Sequence, residues 1–235
     1  MFGGILLPNI PPNTHWMKPL YHPDLDRFWR VCEDLELVVN VHSGTGSPDY
    51  GDFACSGLLQ ALEIPFYSQR PLVQLMVSGV FERFPRLRFV LTELGATWVP
   101  ELLSMLDLFM GAVRGGQLGE FRYEEGGAPA KTASEYFHQS CWVGVSMPSP
   151  ADVAVRDVVG VDRFMWGSDY PHDEGSYPNT VKAIRRAFRE VDHESTRAML
   201  GGNAAALYGF DLDALAPLAA AHGPTVAEVH RPRGA

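Results

Sequence analysis

The chain lacks several features that would assign it to a class at once. No run approaches the ~20 consecutive apolar residues of a membrane span. The amino-terminal stretch Met1 to Ile10 has neither the basic region nor the long apolar core of a signal peptide. Cysteine is scarce: Cys32, Cys55 and Cys141 are odd in number and far apart, which excludes a disulfide framework or a paired-cysteine zinc knuckle. No basic cluster appears, and 28 acidic against 19 basic side chains leave a net charge of −9, the wrong sign for a nucleic-acid surface. No repeat emerges. What remains is the composition of a globular enzyme-like protein, 46% apolar and 20% charged over 235 residues. The expectation is a cytoplasmic protein with three buried, reduced thiols and a small-molecule substrate, without nucleic-acid or membrane partners.

Short apolar runs alternate with helical periodicity. Gly3 to Leu7, Leu37 to Val41, Leu87 to Leu91 and Phe164 to Trp166 are expected strands, and Phe137 to Val145 is expected to contain another. Between them, Asp24 to Leu35, Pro71 to Phe84, Trp98 to Met110 and the stretch from Ser149-Pro150 to Gly160 are expected helices. After the last strand come Thr180 to Val191, Glu194 to Leu200 broken by Gly201-Gly202, and Ala204 to Tyr208 capped by Asn203. Ser43 to Ser68 and Gly111 to Lys131 are expected loops. The alternation predicts βα units with parallel strands, in one domain over residues 1–216. A loose alanine- and proline-rich tail is expected over 217–235.

Chemistry-bearing residues follow two of the strands. Val38-Val39-Asn40-Val41-His42 runs into Ser43-Gly44, and Phe164-Met165-Trp166-Gly167-Ser168 into Asp169-Tyr170-Pro171-His172. Side chains at the carboxyl ends of parallel strands are where barrel enzymes place their sites, and imidazole and carboxylate are ligands for a divalent cation. Leu91-Thr92 leads to Glu93, a third side chain in the same kind of position. Taken alone, each has a structural alternative: His42 as a buried histidine on a carbonyl, Asp169 as a turn cap, and Glu93 as a helix cap or arginine partner. His15 and His22 lie in the loop after the first strand, where substrate contacts are also expected.

Four segments in order, Val41-His42-Ser43-Gly44, Gly79 to Pro85, Trp166 to His172, and Gly201-Gly202-Asn203-Ala204-Ala205 with Leu207 to Phe210, resemble the amidohydrolase-related superfamily. The branch resembled is that of aminocarboxymuconate-semialdehyde decarboxylase-like metal-dependent hydrolases. The resemblance implies an α/β fold of the (β/α)8 TIM-barrel type with a divalent metal, zinc being the expected one. His42 and Asp169 would be metal ligands, Asp169 and Glu93 catalytic, and His172 substrate-binding. The His-x-His pair that opens the family pattern is absent, so the chain aligns to the last five βα units, with the first three strands missing. Two ligands hold a metal weakly, and Glu93 would add a third oxygen only if it points inward. Glu93 stands where the decarboxylases often carry histidine. This favours a metal-dependent hydrolase acting on a small carbonyl or carboxylate, with nonoxidative decarboxylation of a small aromatic or unsaturated acid, or an inactive barrel fragment, as the alternatives. Two open sheet edges favour association, so a homo-oligomer is compatible with the pattern.

Overall fold

The computed structural model describes residues 3–9 and 14–230; the Met1 and Ile10 ends of the expected leader-free segment and residues 231–235 of the expected tail lie outside them. The fold is α/β, built from parallel βα units as the alternation predicts, and the chain divides into two compact units. The first comprises Gly4–Leu94 and Pro100–Trp142; the second takes in Gly95–Val99 and the chain from Val143 onward.

In the first unit, strand β1 (Gly4–Leu6) pairs with β2 (Val38–His42), and β2 with β3 (Arg88–Thr92). Helix α1 (Asp26–Asp34) joins β1 to β2; α2 (Ser56–Val77) and α3 (Val80–Arg83) join β2 to β3. Val39, Val41, Phe89 and Leu91 are wholly buried, which explains the unbroken apolar runs of these parallel strands. Trp29 of α1 is also buried, and its indole nitrogen donates to the Leu20 carbonyl at 3.2 Å. Gly4 has no alternative residue: a Cβ there would lie 2.4 Å from the Val38 carbonyl oxygen.

Helix α4 (Val99–Arg114) follows β3, and α5 (Ala133–Ser140) precedes β4 (Cys141–Ser146). The strand expected within 137–145 is β4, which occupies the second half of that range. Thr132 and Glu135 form a capping box that starts a helix, so Phe137 and His138 are helical, and the strand begins only at Cys141. A correction concerns α2, which begins at Ser56 inside the expected loop and contains both Pro65 and Pro71. Of the three thiols, Cys32 and Cys141 are buried as expected, but Cys55 is exposed just ahead of α2.

In the second unit, β4 pairs with β5 (Phe164–Gly167) in parallel, Val143 opposite Phe164 and Ser146 opposite Gly167. The expected helix from Pro150 to Gly160 is two short ones, α6 (Pro150–Ala154) and α7 (Arg156–Val159). Asp152 of α6 accepts from the Ala96 amide at 2.7 Å and the Thr97 amide at 3.3 Å, and from Ser149. Burial pushes the Asp152 carboxyl up, but the Ser149 hydroxyl and these amides outweigh it and hold the group below the usual carboxylate range.

After α8 (Thr180–Phe188) and α9 (His193–Arg197), Gly201-Gly202 do not break the helix. They lie in a π turn, Ala198–Gly202, that runs on into α10 (Asn203–Tyr208). Asn203 is itself helical and caps nothing; its amide donates to the Val161 carbonyl at 2.6 Å and the Phe164 carbonyl at 2.7 Å. It thereby ties α10 to the start of β5. Replacing it with alanine leaves two part-buried carbonyls without this donor, and the expected cost is about 1–3 kcal/mol, read as a lower urea midpoint at unchanged slope. Helices α11 (Leu212–His222) and α12 (Val226–Val229) occupy much of the expected tail. Val229 is buried, and Arg185 of α8 donates to the Glu228 carbonyl.

Candidate metal and proton-transfer site

The register of the first unit brings two of the expected site residues together. His42 is the last residue of β2 and faces Thr92 across the ladder, so Glu93 and Ser43 are the first residues beyond it. The Ser43 amide extends the ladder to the Thr92 carbonyl at 3.2 Å. Glu93 then turns into the left-handed region, φ 66°, a conformation that costs about 1–3 kcal/mol for a residue of this type and persists where surroundings impose it. The result is a His42 Nε2–Glu93 Oε2 contact of 2.8 Å, with the Ser43 hydroxyl donating to the same oxygen at 3.0 Å.

The other ring nitrogen defines the tautomer. His42 Nδ1 lies 2.8 Å from the Ser43 carbonyl oxygen, which can only accept, so Nδ1 carries the proton. Nε2 of a neutral ring then presents a lone pair toward a carboxylate oxygen. Two acceptors at 2.8 Å need a shared proton or a cation between them. An imidazole whose one N–H is donated to a carbonyl has its tautomer fixed and its other nitrogen available as a ligand, as in metal-ligating histidines. Glu93 is thus neither a helix cap nor an arginine partner.

The second unit supplies another pair. Just beyond β5, Asp169 also sits at a left-handed φ, 59°. Its Oδ1 lies 3.1 Å from His172 Nδ1, and the His172 amide donates to the Asp169 carbonyl at 3.0 Å, closing the turn. Asp169 Oδ2 is buried and has no hydrogen-bond partner. Buried carboxylate oxygens are rarely left unpaired, because the desolvation cost is several kcal/mol without a counter-charge. The orphaned oxygen, together with a neighbouring imidazole, fits a cation ligand. His172 is half exposed, as a substrate-facing residue would be.

Gly175 sustains this turn. Its amide donates to the His172 carbonyl at 2.9 Å, and a Cβ on it would stand 2.8 Å from both the Asp169 and His172 carbonyl oxygens. Backbone atoms on both sides leave no room for it. Gly175→Ala is therefore expected to displace Asp169 while the rest of the unit stays folded: destabilisation of about 1–3 kcal/mol in thermal melts, together with weaker metal binding by calorimetric titration.

The other histidines take no part in either pair. His22 accepts from the Asp24 amide at a helix start, His138 contacts the Ser134 carbonyl within α5, and His193 stacks with His230 at 4.3 Å. His15 is exposed. An apolar cavity of about 550 Å³ between Trp166, α8 and α11 holds none of the expected site residues. Ser43, quoted in the sequence only as part of a motif, is the residue whose role the structure adds. Its position directly after a strand-end histidine was the available signal.

The amidohydrolase family model matches residues 2–210. The chain belongs to the amidohydrolase family. Solved structures of similar fold include 5-carboxyvanillate decarboxylase from Sphingomonas paucimobilis, at 23% identity and a TM-score of 0.67 over 89% of this chain and 59% of that one. A second is 5-carboxyvanillate decarboxylase from Novosphingobium aromaticivorans, with bound manganese, at 20% identity and 0.67 over 88% and 57%. A third is 2,6-dihydroxybenzoate decarboxylase from Rhizobium, at 18% identity and 0.66 over 89% and 62%. The chain thus spans less than two thirds of these relatives, and at these identities the likeness is one of fold. Among the described residues, no helix is long and apolar enough to cross a membrane.

Proposed function

We propose that the chain is part of a metal-dependent decarboxylase that releases carbon dioxide from a small aromatic carboxylic acid. As the resemblance implies, His42 and Asp169 would be ligands to a divalent cation, with Asp169 and Glu93 catalytic and His172 toward the substrate. The observation that carries this reading is the buried, unpartnered Asp169 Oδ2 at a strand end. Glu93 in the first unit, and Asp169 and His172 in the second, each offer a ligand-type atom, a donor inventory with two carboxylates. Its carboxylate content suits a harder ion than the zinc first expected, and the bound manganese of the Novosphingobium relative makes manganese the first ion to test.

A bound cation would supply Lewis acidity, orienting the substrate carboxylate and offsetting negative charge on it. The proton is the task of the chain's own residues. Asp169, in its protonated form, donates to the ring carbon that bears the carboxylate. The bond from that carbon to the carboxylate then breaks, its electron pair restores the aromatic ring, and carbon dioxide leaves. His172 Nδ1, 3.1 Å from Asp169 Oδ1, returns a proton from solvent to the carboxylate. Ser43 and His42 hold Glu93 from two directions.

Hydrolysis, the reading Glu93 first favoured, would use the same groups with Asp169 taking a proton from water. Decarboxylation is preferred because the three solved relatives named above carry that activity in their names. The deciding experiment loads metal-free protein with manganese or zinc, counts the bound ion, and screens aromatic carboxylates, lactones and amides for carbon dioxide release and hydrolysis. The expected result is manganese-dependent carbon dioxide from an aromatic acid. Hydrolysis without carbon dioxide would restore the hydrolase reading, and bound metal with neither product would identify an inactive barrel segment.

A further inference from the structure

The second unit brings together two histidines that the proposed reaction does not use. His193 opens α9, and His230 directly follows α12. Although far apart in sequence, their ring centres stand 4.3 Å apart, with the planes inclined at 47°. His230 is partly buried, and its Nδ1 lies 3.3 Å from the Arg189 carbonyl oxygen just beyond α8. A carbonyl only accepts, so Nδ1 carries the proton and Nε2 of the neutral ring keeps a free lone pair. A backbone carbonyl on one ring nitrogen is a common device for fixing the tautomer and orientation of a ligating histidine. His193 is exposed, and among the described residues its ring contacts only that of His230. It is therefore free to turn a nitrogen toward its neighbour.

The charges around the pair favour a cation. Asp192 and Glu194 flank His193 in the chain. The Ser195 amide, which donates to Asp192 at 2.8 Å, holds that carboxyl below the usual carboxylate range, so it stays ionised. The Glu228 carboxylate is engaged by Thr225 in the cap of α12. The basic groups of the adjoining turn are engaged elsewhere: Arg189 pairs with Glu190 at 3.1 Å, and Arg185 donates to the Glu228 carbonyl.

We propose that His193 and His230 form a second metal site, distinct from the strand-end carboxylates, for a borderline divalent ion of the nickel, copper and zinc class. Imidazole is the ligand that suits these ions, whereas manganese is held by oxygen donors. The spacing fits. With metal–nitrogen bonds of about 2.1 Å, two imidazoles bound cis to one ion hold their ring centres roughly 4.5 Å apart. Two protein ligands, with water completing the shell, bind less firmly than the three of a catalytic site, so the ion is exchangeable. Its structural effect is local. Helix α12 is only four residues long. It is held by buried Val229, by the Arg185 bond to the Glu228 carbonyl and by the His230 contact with Arg189. An ion bridging the two rings ties the end of α12 to the start of α9 and slows the opening of a segment that has few other anchors.

Calorimetric titration of the untagged full chain with nickel, manganese being present in excess, tests the site. The parent should bind one nickel ion that His193→Ala binds about 10–100-fold more weakly or not at all, and His230→Ala should show the same loss. His222→Ala, which removes an exposed histidine of α11, should bind as the parent does. Without metal, His193→Ala should melt with the parent, because the ring it removes makes no hydrogen bond among the described residues; it therefore decides the matter even if His230→Ala loosens α12. Equal nickel binding by the parent and His193→Ala would overturn the proposal. Amide exchange gives a second reading. Nickel should slow exchange at residues 228–230 in the parent and leave it unchanged in His193→Ala. Nickel that binds the parent without slowing these amides would show that no ion bridges the two rings, and would overturn the proposal as well.

Discussion

Asp169→Asn should lower turnover by about 10²–10⁴-fold, the usual contribution of a positioned proton-transfer group, and should weaken manganese binding at the same time. Asparagine has nearly the same shape, so the turn that places His172 keeps its backbone bonds from the His172 and Gly175 amides. What disappears is the negative charge and the acidic proton. The buried Oδ2, which has no protein partner, becomes part of a neutral amide. In metal-free protein the substitution relieves the unpartnered Oδ2 and gives up only the charge on the half-exposed His172 contact, so the variant should melt close to the parent. Added manganese should then raise the melting temperature of the parent much more than that of the variant. This opposition between lost function and retained apo stability distinguishes a ligand from a structural cap. If the variant binds manganese and turns over as the parent does, Asp169 is not at the cation. If it loses several kcal/mol without metal, its role is to hold the turn.

Phe89→Ala has the largest expected effect on stability, about 3–5 kcal/mol. Phe89 lies in the middle of β3 and is wholly inaccessible; its ring meets Phe81 of α3 edge to face at 5.9 Å. Truncation leaves a void where both the strand and α3 lose contacts, and a parallel strand buried on both faces has no route by which water fills it. Set against a typical total of 5–15 kcal/mol, the loss is a large fraction of what folds the unit. Urea unfolding should show a much lower midpoint. Phe89→Leu keeps most of the volume and should cost less than about 1.5 kcal/mol. Because Glu93 follows four residues later on the same run of chain, Phe89→Ala should also weaken metal binding. A variant that unfolds at the parent's midpoint would show that the Phe81–Phe89 contact contributes little.

Four of the five strands were legible within a residue or two, because continuous apolar runs bounded by proline, glycine or polar residues leave few alternatives. The fifth was located only within 137–145, for a local reason: Phe137 continues the apolar pattern into Cys141, while the helix that contains it is decided by the Thr132–Glu135 cap. Helix α2 was hidden because its first two turns bury nothing, and because Pro65 and Pro71 read as breaks rather than as interior positions. The pairing of Asp169 with His172 could be anticipated from their spacing. The contact between His42 and Glu93 could not, since it depends on the β2–β3 register and on a left-handed residue at 93. Asn203 shows the same boundary. Its residue type suggested a cap, and only its long-range carbonyl partners at Val161 and Phe164 show that it serves as a brace.

The left-handed backbones of Glu93 and Asp169 have a consequence for how sequences at these two sites drift. At either place glycine or asparagine would relieve torsional cost and make the folded chain more robust. A library screened for heat resistance alone should accumulate those replacements at 93 and 169, while one screened for metal uptake should retain the acids, so resilience and ion capture pull the same two codons in opposite directions.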